Sequence, residues 1–227
     1  MLPEYFAGAC FCASSYPSDL NSFYLLSRPA PFDFFSDRSL DRAALESAFP
    51  FLARSTILQD ERESLGLLVP CTGAEGEHVK VSFFGAIRFG RVGQPDATED
   101  GVHQVASLDD LMATKLKVVL QRAEAKDYRD IVAMLRAGVK LSVGLAAARA
   151  LFGPQFQPSE SLKALVYFGD GDLSALSDED RSLLVEAAST VRELSEVRLL
   201  SDKLTLDRNG RPPQRPIPVP RNGYPTG

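Results

Sequence analysis

Residues 107–135 read SLDDLMATKLKVVLQRAEAKDYRDIVAML. With Lys115 at zero and about 100 degrees per residue, Leu108, Leu111, Met112, Val118 and Val119 fall within about 60 degrees of it. Asp110, Thr114, Lys117, Gln121 and Glu124 take the opposite, wet face. Lys115 and Arg122 therefore stand two turns apart on the apolar side, and Lys126 joins the same line if the helix runs on. Ser107 with Asp110 three residues later forms a weak capping box. A second periodic segment spans about Tyr128 to Arg136, with Asp127 just inside its apolar arc and Asp130 at the edge. Gly138 is its natural stop.

Charges set into a greasy face are expensive unless a fixed partner uses them. Two readings stand side by side. Lys115 and Arg122 can snorkel to water while Asp127 caps the second helix. Alternatively, two cations and two carboxylates on adjoining helices make a site.

Working outward, the N-terminal half reads as strands. Phe32 to Phe35 is a strand, followed by a helix from Leu40 to Ala48 that ends near Pro50. Ala53–Gln59 and Leu65–Val69 make a hairpin across Asp60-Glu61-Arg62-Glu63. Val79–Phe84, rich in Val and Phe, is the firmest strand. Arg88 to Val105 reads as loop with a short strand at Val102–Ala106, and later helices fall at Val143–Leu151, Ser159–Tyr167 and Asp178–Leu194. Strands followed by helices predict an α+β protein, with a mixed sheet in residues 1–106 and a helical region in 107–208. Residues 1–30 are ambiguous, and the Pro- and Arg-rich tail 209–227 reads as disordered.

Composition narrows the classes. A net charge of −5 over 227 residues is not that of a general nucleic-acid binder, although a local basic cleft is compatible with it. Three cysteines, Cys10, Cys12 and Cys71, do not suit a disulfide scaffold. There is no apolar run of about 18 residues, so no membrane span is expected. MLPEYFAG lacks a basic n-region, and a cytoplasmic location is the expectation. GAIRFGRVG at 85–93 carries Arg88 and Arg91, which could meet phosphate or RNA but lack a phosphate-loop pattern. Gly169-Asp170-Gly171-Asp172 lacks the later ligands of a calcium loop and reads as a turn.

Two further stretches, PFDFFSDRSLDRAALESAFP at 31–50 and HVKVSFFG at 78–85, join the opening segment in a shared resemblance. Together they look like the AbiEii-type nucleotidyltransferases, toxins of AbiE-like toxin–antitoxin pairs. That family carries "sLeeLlalKl", a following Arg and "KDyrDl", which Lys115, Arg122, Lys126, Asp127 and Asp130 match in turn. The resemblance implies a nucleotidyltransferase-like fold that moves a nucleotide from an NTP to an acceptor such as tRNA. It also implies magnesium as cofactor and an antitoxin partner. By the same resemblance Lys115, Asp127 and Asp130 are catalytic, Asp33 is a metal ligand, and Gly8, Arg122 and Lys126 bind the nucleotide.

The chain departs from the family at its N-terminal motif. Gly8-Ala9-Cys10 stands where a Gly-Gly-Thr or Gly-Ser turn is expected. Pro31 stands where the first aspartate of an Asp-x-Asp pair should be, and the nearest position for a third carboxylate is Ser82. Asp19 is a candidate replacement. Magnesium prefers carboxylate and phosphate oxygens, which proline cannot supply. The resemblance is therefore compatible with a working transferase and with a catalytically inactive relative that still binds a nucleotide or partner. A third reading, an unrelated interaction protein that docks through its helices, stands outside it.

Overall fold

The computed structural model describes residues 32–71, 76–98 and 103–206. Gly8, Cys10, Cys12, Asp19, Pro31 and the 209–227 tail lie outside them. Strand β1 (Phe32–Phe35) is followed by helix α1 (Arg42–Ala48), a 3-10 turn (Pro50–Arg54), and strands β2 (Thr56–Glu61), β3 (Ser64–Pro70) and β4 (His78–Phe84). The sheet order is β1-β4-β3-β2; β1 and β4 run parallel and the other neighbours antiparallel, so the sheet is mixed. Alternation along the strands sends Phe34, Leu65, Leu67, Val81 and Phe83 to one face, where Leu45 of α1 and Phe49 complete an apolar cluster. Asp41 caps α1 through the Ala44 N–H, and Arg42 holds Asp60 of the hairpin at 2.7 Å.

The opposite face carries Asp33 and Ser82, which are direct register partners on β1 and β4. The loop read from Arg88 onward folds into a small hairpin, β5 (Asp96–Ala97) with β6 (Gln104–Val105).

From Ser107 the chain is helical: α2 (Leu108–Val118), α3 (Ala125–Arg136), α4 (Leu141–Phe152), α5 (Pro158–Val166) and α6 (Asp178–Thr190). These bury a second, larger cluster that includes Met112, Leu116, Tyr128, Ile131, Leu145, Phe156, Leu165 and Leu184. The helix expected to run through Arg122 instead stops at Val118, and α3 begins three residues before Tyr128. Gly138 ends α3 as its φ of 91° requires. The Val139 N–H reaches the Met134 carbonyl and the Gly138 N–H that of Leu135, which is a Schellman motif.

The last described segment straps the two halves together. Ser201 bridges Arg91, Leu204 is fully buried in the helical cluster, and the Thr205 N–H and hydroxyl donate to Asp37, just beyond β1.

Candidate functional site

The break after Val118 creates the site. With α2 and α3 joined by a turn, Lys115, Arg122, Asp127 and Asp130 converge on one knot. Asp127 is fully buried and accepts from Lys115 Nζ at 2.8 Å, Arg122 Nε at 2.8 Å and Arg122 Nη2 at 3.3 Å. Lys115 also reaches Asp130 at 2.5 Å. Asp130 keeps part of its side chain in solvent, so of the two carboxylates only Asp130 is open to an incoming group.

Electrostatics follow this geometry. Burial pushes the Asp127 carboxyl up, but hydrogen bonds and charge from Arg122 and Lys115 outweigh it and hold the pKa below the ordinary aspartate range. Burial pulls the Lys115 ammonium down, yet the Asp130 charge and the bonds to Asp127 and Asp130 hold it above its usual value. Arg122 is raised by its hydrogen bond to Asp127, and more weakly by charge from Glu124 and Asp33. Asp33 on the sheet thus lies within electrostatic reach of the helical knot.

Other expected residues take different places. Lys126 does not continue the line of Lys115 and Arg122; it is exposed and pairs with Glu124 at 2.7 Å. Asp127 lies in the first turn of α3 without capping it, and the N-cap residue Glu124 makes no side-chain cap bond either. Arg91 of the GAIRFGRVG stretch is buried beneath the C-terminal strap, so it is not a surface phosphate contact, whereas Arg88 is exposed.

Sequence reasoning misplaced Asp110. Assigned to the wet face, it is 2% exposed and accepts from the Val92 N–H (2.7 Å), the Gly93 N–H (3.1 Å) and the Ser107 hydroxyl (2.6 Å). The Ser107–Asp110 capping box was visible in the sequence, but the loop that docks on it comes from β4's far side and was not. Burial, partly offset by those bonds, raises the Asp110 carboxyl.

The metal side is thinner. Asp33 faces Ser82 across the β1–β4 ladder, a hydroxyl where a third carboxylate would stand. Among the described residues no group of three His, Cys, Asp or Glu side chains could hold a metal ion. Those residues do not fit a magnesium site, because one carboxylate and one hydroxyl lack the charge such an ion needs. Nor is any helix of the described residues long and apolar enough to cross a membrane.

The model of the family described as "Nucleotidyl transferase AbiEii toxin, Type IV TA system" matches residues 32–187, from β1 into α6. No curated protein matches the chain. The matched span includes both the sheet that carries Asp33 and the helices that carry the Lys115 knot, and the chain belongs to the AbiEii nucleotidyl transferase toxin family.

Proposed function

We propose that this chain is the toxin-side, nucleotidyltransferase-like protein of a type IV toxin–antitoxin pair. It holds a nucleoside triphosphate beside Asp33 and the α2–α3 knot, and moves its nucleotide to an acceptor hydroxyl such as a tRNA end in the cytoplasm. The observation that carries this reading is the family match over residues 32–187, which contains both Asp33 and the knot in which Arg122 and Lys115 share Asp127.

The roles divide by burial. Asp127, saturated by two cations and closed to solvent, holds Lys115 and Arg122 in place. Lys115 meets the triphosphate, where a fixed cation stabilises charge that grows on the phosphoryl oxygens. As its ammonium turns to phosphate it loosens from Asp130, which is then free to accept the proton of the acceptor hydroxyl. The acceptor oxygen bonds to the α-phosphorus, and the bond to pyrophosphate breaks. The depleted carboxylate set around Asp33 makes this transfer slow.

A second reading, a catalytically inactive binding protein with the same fold, is favoured by Ser82 standing opposite Asp33. Transfer from each α-labelled NTP onto total RNA separates them, run with Asp33→Ala and Lys115→Arg beside the parent. Incorporation that both substitutions abolish supports the transferase. ATP binding without incorporation from any NTP supports the inactive reading, and no binding of any NTP contradicts both.

A further inference from the structure

Helix α3 carries the buried Asp127 in its first turn, yet its own N-cap residue supplies no side-chain cap. The missing acceptor comes from 47 residues away: the Ala125 N–H donates to Asp172 Oδ1 at 2.6 Å. A charged acceptor at a helix N-terminus satisfies an otherwise orphaned donor and complements the helix dipole. Gly171 brings that carboxylate in. Its φ is +55°, and a Cβ there would lie 1.9 Å from the Ala123 carbonyl oxygen, so the loop backbone presses directly on the α2–α3 turn.

The loop is itself held rigid. Leu173 is 1% exposed in the helical core. Arg129 of α3 donates to the Ala175 carbonyl at 2.7 Å, and Arg181 of α6 donates to the carbonyls of Leu173 and Ser174. The turn that this loop grips, residues 119–124, is the one that delivers Arg122 to Asp127 and towards Asp33. The Gly-Asp-Gly-Asp run is thus explained without a cation, because Asp172 is already engaged by backbone.

We propose that Asp172, seated by Gly171, is a positioning residue that clamps the α2–α3 turn and fixes Arg122 against Asp127. Only the functional arm of the test below rests on the nucleotide reading. The direct readout is the solvent-exchange rate of the Arg122 Nε–H in the full chain, the proton that Arg122 donates to Asp127 at 2.8 Å.

In Asp172→Ala, exchange of that proton accelerates by about tenfold or more, while the melting temperature falls by only about 2–4 °C, the scale of one lost cap. Asp172→Asn, which keeps an acceptor oxygen, retains the protection. ATP affinity falls by about tenfold in the Ala variant and recovers in the Asn variant, since small displacements of a positioned group are costly. If Asp172→Ala does not fold, Asp172→Glu, which displaces the oxygen by one methylene, takes its place with the same expectation. Unchanged Arg122 protection in a folded Ala or Glu variant overturns the proposal, as does equal loss in the Asn variant. If the parent protein binds no ATP, the nucleotide reading fails, and the Arg122 exchange still decides whether Asp172 positions the turn.

Discussion

The two sides of the candidate site, the helical wall and the sheet wall, are built to different standards. In the helical knot each of the four charges has a fixed partner: Asp127 is held between Lys115 and Arg122, and Lys115 is shared with Asp130. On the sheet wall the register neighbour of Asp33 among the described residues is Ser82, which brings no charge. A fully buried carboxylate such as Asp127 tolerates little change around it, because its charge is costly without its cations. A half-exposed carboxylate on a strand can be lost or gained at almost no cost to folding. The fold therefore keeps the helical wall intact whether or not the chemistry survives, while the sheet wall records only the chemistry.

The sharpest way to break this contrast is Lys115→Met. Asp127 would keep Arg122 in place of two cations, and we expect a loss of about 3 kcal/mol, the low end for a broken buried pair, near 10 °C in melting temperature. A shift below 2 °C would mean that the knot does not hold the helices together.

Asp110→Ala comes next. It leaves the Val92 and Gly93 N–H groups and the Ser107 hydroxyl without their acceptor, for about 2–3 kcal/mol in chemical denaturation.

The dependence on pH is smaller and has a definite sign. Asp127 is held below the ordinary value of about 4, so its contribution is present above that pH and is lost as pH falls through its depressed folded value. Lys115 is held above about 10.4, so its share is full below that pH and is lost as pH rises through its raised folded value. Asp110, raised by burial, works the other way: stability declines as pH climbs from about 4 through its folded value. Denaturation curves of Asp127→Asn against pH should show a flatter acid limb than the parent, and an unchanged limb would contradict the assignment.

The smallest stability effect belongs to Asp33→Ala, within about 0.5 kcal/mol by denaturant midpoint, although the same change removes any transfer activity.

Much of this was legible in the sequence, for reasons tied to particular residues. The 3.6-residue period around Lys115 and the motif ending in Asp130 exposed the helical wall, and the strand at Phe32–Phe35, the Val and Phe content of Val79–Phe84 and the order of strands before helices exposed the mixed sheet. The break after Val118 was not visible, because Gln121, Arg122, Ala123 and Glu124 are good helix formers and no Gly or Pro interrupts them. What accompanies that break is a tertiary contact, Gly171 against Ala123 with Asp172 on Ala125. Asp110 and Arg91 were misjudged for the same reason. The loop at 92–93 and the strap at 201 that bury them are distant in sequence, and helical periodicity is blind to such partners.

The most direct test of the account is magnesium-dependent nucleotide transfer by the parent chain compared with Pro31→Asp. The account predicts that the parent binds ATP but transfers slowly or not at all, and that Pro31→Asp raises the rate by about 100-fold. Rapid transfer by the parent with no gain in Pro31→Asp would contradict it.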